Sequence, residues 1–211
     1  MAAVGQLMEE KHLIRETAWS REYRLGPEML SFESKFVRDG LQVAAATILE
    51  SWPRWGLSEQ LTFANAFILK PALTSEDQQI LQFLIEEGRE PVWATIAYLL
   101  PRYHDRTAAL AFLLERISSK GPHDGAYFQA LERLGDHQAV PALHRRYEQY
   151  RDSLSPFGQH RLHSKLADYQ QCCRALWILT GSPEYENALR ELLEHPDEGI
   201  RRRSQFLLSD R

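Results

Sequence analysis

With 211 residues, 44 % of them hydrophobic and 26 % charged, the chain suits one moderate domain or a short repeat array and is too apolar for a disordered segment. Lys and Arg total 25 against 29 Asp and Glu, a net charge of −4, which disfavours broad nucleic-acid binding because gripping many phosphates calls for the opposite sign. The two cysteines, Cys172 and Cys173, are sequence neighbours and would point to different sides of a helix, which excludes a disulfide framework and suits a reducing compartment.

The opening "MAAVGQLMEEKHL" has neither a basic start nor an apolar run, so it is not read as a signal peptide. Residues 1–39 fit no repeat and are expected to form a helical cap. After them comes an unusually aromatic turn, "ESWPRWGLSEQ". In "SEDQQILQFLIEEG" the apolar residues Ile80, Leu81, Leu84 and Ile85 share one helical face, with Ser75 and Gln78 as a capping box and Gly88 as the stop. "PVWATIAYLLP" comes next, with Pro91 suited to a first helical turn. It is the longest uncharged apolar run and falls far short of the roughly 20 residues that span a membrane. A soluble, cytoplasmic protein is the expectation.

Helical spacing then continues with short breaks. "RTAALAFLLERI" is closed by "SSKGPHDG", and "AYFQALERLGD" runs into "HQAVPALHRRYEQY". "DSLSPFGQH", residues 152–160, holds Pro156 and Gly158 and predicts a break open to proteolysis. "LADYQQCCRALWILTG" gives way to "SPEYENALRELLEH", with Ser182 as cap and Pro183 in the first turn, and "HPDEG" leads into "IRRRSQFLLSD". No stretch alternates apolar and polar residues as a strand would.

The junction "ALERLGDHQAVPAL" at 130–143 is echoed by "ALWILTGSPEYENAL" at 175–189. First-helix Ala-Leu pairs stand at Ala109–Leu110, Ala142–Leu143 and Ala188–Leu189, and second-helix leucines at Leu100, Leu134, Leu179 and Leu208. A period of about 30–34 residues, with one insertion near 150–165, accounts for both series. The fold class is therefore all-α, a right-handed α-solenoid of about five hairpins: 40–73, 74–103, 104–135, 136–181 and 182–210. "AVPALHRRYEQY" and "HPDEGIRRRSQFLLSD" resemble the first and second helices of HEAT repeats, and the resemblance runs over roughly residues 40–210. It implies an armadillo-like helical array acting as a scaffold.

Catalytic and metal motifs are not found. His160 and His163, at i and i+3, supply at most two ligands, Glu9 and Glu10 stand near His12, and a metal site needs three or four converging ligands. There is no HExxH, CxxC, Gly-x-Ser-x-Gly or Gly-rich phosphate loop. His123 and Asp124 lie in a turn-like "GPHDG" with no third group placed beside them. The cysteines read as one small core residue and one at the edge of the buried face. No catalytic residue, metal or cofactor is expected.

Two patterns remain. Residues 144–165 hold Arg145, Arg146, Arg151, Arg161 and Lys165 against Glu148 and Asp152, either a solvated helix end or a partner-binding patch. Two positions before the second-helix leucines stand Tyr98, Glu132, Trp177 and Phe206, with Phe67 before Leu69. These side chains point away from the leucine face. They either line a concave groove as aromatic anchors or pack between repeats. The reading is a non-enzymatic protein-interaction module that holds a protein or peptide partner in that groove. The acidic half, 15 Asp/Glu against 10 Lys/Arg over residues 1–105, favours a partner with basic features. The alternative is a HEAT-like nucleic-acid enzyme resembling the alkylpurine glycosylases, against which the net charge argues.

Overall fold

The computed structural model describes residues 45–70, 72–119, 123–153 and 163–209. The cap expected over 1–39 and residues 154–160 of the expected break lie outside them. Among the described residues there are ten α-helices and no strand. They are α1 (Ala45–Ser51), α2 (Leu57–Phe67), α3 (Ser75–Glu87), α4 (Val92–Ile96), α5 (Arg106–Ser118), α6 (Asp124–Leu134), α7 (Val140–Ser153), α8 (His163–Thr180), α9 (Pro183–Glu191) and α10 (Glu198–Ser209). Short 3-10 turns flank some of them, at Trp52–Arg54, Ala97–Arg102, His137–Ala139 and Leu192–Glu194.

The helix ends arise from local chemistry. The α3 capping box is set one residue earlier than the sequence suggests. Thr74 Oγ1 accepts from the Asp77 amide at 3.2 Å, and Asp77 accepts from the Thr74 amide at 2.8 Å. Asp77 outcompetes Gln78 because a carboxylate accepts a charge-assisted bond, and Lys70 reaches it as well, at 2.5 Å. The helix expected through "PVWATIAYLLP" tightens into 3-10 geometry from Ala97. Pro101 inside it has no amide to donate, so the regular i→i−4 ladder cannot continue there.

The repeated junction has a backbone cause. Gly135 and Gly181 both adopt left-handed conformations, φ 70° and 67°, and each donates its amide back into the helix it ends, to Leu131 and Trp177. The residue after each glycine then caps the next helical segment: Asp136 accepts from the Gln138 amide at 2.9 Å, and Ser182 from the Glu184 amide at 3.4 Å. At the last turn Asp197 does the same for the Ile200 amide at 3.0 Å.

Packing sets the even-numbered helices in one row and joins the odd-numbered ones only pairwise. The even-numbered helices pack in series: α2 on α4, α4 and its 3-10 extension on α6, α6 on α8, α8 on α10. Among the odd-numbered helices α1 packs on α3 and α5 on α7. Sequence neighbours α3 and α4, α5 and α6, α7 and α8, and α9 and α10 also touch. Leu100, Leu134 and Leu179 are buried between them, whereas Leu69 is exposed and Leu208 half-buried. One end of the aromatic turn enters the core. Trp52 is buried and meets Phe63 and Phe83 edge-on, each with ring centres 6.2 Å away. Such pairs add about 0.5–1.5 kcal/mol beyond burial.

Candidate functional site

The polar groups with the most unusual surroundings gather where α6 begins. Asp124 and Gly125 are its first two residues, and they serve opposite sides. Asp124 is fully buried and faces α7, where Arg146 and the Tyr150 hydroxyl donate to its Oδ2, the latter at 2.6 Å. Gly125 donates its amide to Asp168 of α8 at 2.9 Å. A β-carbon at position 125 would lie 2.8 Å from that carboxylate oxygen, so a larger residue there would push the Asp168 carboxylate away.

Burial pushes the Asp168 carboxyl up to about 6, with the Gly125 amide and the charges of Arg203 and Arg146 pulling the other way. Crowding by protein atoms lowers the Arg203 guanidinium from its usual value although the residue stays exposed, and Asp168 and Tyr98 oppose the shift. Tyr98, Asp168 and Arg203, from the α4 extension, α8 and α10, are thus within electrostatic reach of one another.

A polar ladder runs beside this cluster across the even row. Arg174 Nε donates to Glu132 at 3.0 Å, and Gln171 Nε2 donates to the same carboxylate at 3.0 Å. Arg174 also donates to the Leu207 carbonyl, and Arg203 donates to Gln171 at 3.4 Å. One residue deeper, Gln170 donates to the Ile200 carbonyl and to Ser204 Oγ, at 2.9 and 2.7 Å. These bonds fix α6, α8 and α10 side by side. They use the polar groups of this face on one another.

The aromatic series divides. Tyr98 is 38 % exposed and Phe206 64 %, whereas Trp177 is 4 % exposed and Phe67 is also buried. Of the two readings open for Trp177, groove anchor or packing between repeats, its burial excludes an exposed anchor. Helix α8 is contacted by α6, α7, α9 and α10, so a 200° rotation from its leucine leads into another neighbour rather than to solvent. Tyr98 sits in a 3-10 turn and Phe206 on α10, and Ile178, 40 % exposed, joins them as an exposed apolar side chain of this row.

The basic stretch divides too. Arg146 is buried and paired with Asp124 rather than displayed, a correction to its place in an exposed patch. Arg145 and Arg151 are exposed, and Arg151 lies over the Tyr147 ring at 5.6 Å. Arg161 lies outside the described residues. Cys172 and Cys173 are both fully buried, so neither edges the surface. Burial pushes the Cys173 thiol up to about 12 and raises Cys172 well above the usual thiol range, leaving both protonated and unreactive near neutral pH. Among the described residues no group of three His, Cys, Asp or Glu is placed to hold a metal ion, and no helix is long and apolar enough to cross a membrane.

Sequence reasoning missed Asp124, Asp168 and Arg203 as a set. Their partners lie 22 to 43 residues away along the chain, beyond any local motif. The available signal was Asp-Gly at a helix start, which reads equally well as a turn. No family model, curated protein or solved structure matches the chain.

Proposed function

We propose that the helix pairs form a HEAT-like right-handed α-solenoid and that its even row is the binding face of a non-enzymatic protein-interaction module. The observation that carries this reading is the contrast on that row. Glu132 of α6 is tied to Gln171 and Arg174 of α8, while Tyr98 and Phe206 stay exposed. Exposed aromatics beside satisfied polar groups are what a protein partner can desolvate with little penalty. The serial packing of the even-numbered helices, each against the next even one, supports the solenoid.

A nucleic-acid enzyme similar to the alkylpurine glycosylases would need free cations on this face. Arg174 is committed to Glu132, and the net charge of −4 opposes broad phosphate binding, so the reading as a protein-binding face is preferred. The test is a photo-crosslinking residue placed at Tyr98 or Phe206, with the exposed α3 residue Glu76 as control. Discrete protein adducts from positions 98 and 206, missing from 76, are expected. Adducts to DNA instead, or none beyond the control, would end this reading.

A further inference from the structure

On α7 the spacing of His144, Tyr147, Glu148 and Arg151 puts four side chains on one helical face, and Tyr169 of α8 and Tyr185 of α9 come against it. Tyr147 stands at the centre. Its ring stacks on Tyr169 with centres 5.6 Å apart and meets Tyr185 edge-on at 5.1 Å. All three tyrosines are buried. The Tyr185 hydroxyl lies 2.9 Å from His144 Nδ1, and His144 Nε2 lies 3.6 Å from the Glu148 carboxylate. A carboxylate on that side favours the tautomer with its proton on Nε2, which makes Nδ1 the acceptor and the Tyr185 hydroxyl the donor. The side chains of His144 and Glu148 are 42 % and 48 % exposed, so a proton reaching the imidazole has a path to water.

A phenol holds its proton firmly until it loses an electron, and then becomes a strong acid. Burial raises the Tyr185 phenol above its ordinary range, so the proton is in place at neutral pH. A buried radical cation is costly, and the electron leaves readily only where the proton leaves with it. Tyr127 and Tyr150 also donate, to the carboxylates of Glu90 and Asp124. A carboxylate is a weaker base than imidazole by about 2 pKa units, and Asp124 is already paired with Arg146. Arg151 lies over the Tyr147 ring, where a cation opposes the loss of an electron. Among the described tyrosines, a nitrogen base, an exit for the proton and touching rings coincide at Tyr185.

We propose that Tyr185 is where this chain gives up an electron to a one-electron oxidant, with His144 as the base that takes the phenolic proton. The oxidant gains one electron, the Tyr185 O–H bond breaks and the proton bonds to His144 Nδ1. A neutral phenoxyl radical remains, facing an imidazolium balanced by Glu148. A one-electron reductant such as ascorbate returns the electron, and His144 returns the proton. Electron vacancies that begin on Tyr147 or Tyr169 pass to Tyr185 through the ring contacts. In the experiment the full chain is oxidised with photogenerated tris(bipyridine)ruthenium(III), and phenoxyl formation is followed by transient absorption. A fast phase is expected that is missing from Tyr185→Phe, kept by Tyr127→Phe and slower in D2O than in H2O. His144→Gln keeps an acceptor for the hydroxyl but removes the basic nitrogen. It should slow that phase on the order of a hundredfold, as loss of a positioned base does. No fast phase in the wild type, one that survives Tyr185→Phe or disappears with Tyr127→Phe, an unchanged rate in His144→Gln, or no solvent isotope effect would each overturn the assignment.

Discussion

Asp124 and Asp168 sit within one helical turn's reach of Gly125, yet their surroundings differ. Asp124 is held by Arg146 and Tyr150 in a site closed to water. Removing one member of such a pair leaves a bare buried charge, so Asp124→Ala is expected to cost about 3–5 kcal/mol. The double change Asp124→Leu with Arg146→Met should cost much less, because both charges leave together, and a double-mutant cycle by chemical denaturation measures the difference. Asp168 behaves oppositely. Its pKa rises from 3.8 to about 6 on folding, so between those values the folded state holds more protons than the unfolded one. Stability contributed at low pH is therefore lost as pH climbs from about 4 to about 6 and stays lost above. Asp168→Asn keeps an acceptor for the Gly125 amide. It is expected to raise stability at pH 7.5 by about 1–2 kcal/mol, below the full linkage value because solvent reaches the group. At pH 4 the gain should vanish, and melting curves at the two pH values check it.

Helix junctions were the most legible elements in the sequence, because a glycine followed by Asp or Ser is a backbone instruction that acts locally. Gly135 and Gly181 have open space where a β-carbon would go, so alanine there meets no clash and is penalised only by the left-handed backbone. Each Gly→Ala change is expected to cost about 1–2 kcal/mol; a stability left unchanged by both substitutions would contradict that cause. The faces of the helices were less legible. Leu134 and Leu179 fall on the buried side as periodicity demands, but periodicity cannot say how many neighbours a helix has. For α8 the answer is four, which is why Trp177 is core. Truncating Leu134, Leu179 or Trp177 to alanine should each cost about 2–5 kcal/mol. A melting curve untouched by any of these changes would contradict this packing.

At the scale of the whole chain, the helical content and pairing could be read from apolar spacing and caps, whereas the polar ladder could not. Glu132 meets Gln171 and Arg174 only after α6 and α8 are packed side by side, a tertiary fact with no local trace. The same holds for Arg146, which reads as one of several surface arginines until Asp124 is placed beneath it. Tyr98 and Phe206 stay exposed on the row in which Glu132 is paired with Arg174. The central claim is that these two rings are anchors for a protein partner. It is tested most directly by comparing quantitatively the proteins captured by the wild-type chain and by a Tyr98→Ala, Phe206→Ala double variant with matched melting temperatures. A central aromatic anchor is worth about 2 kcal/mol or more, roughly thirtyfold in affinity. The account predicts that at least one protein held by the wild type is lost from the variant, and indistinguishable captured sets would contradict it.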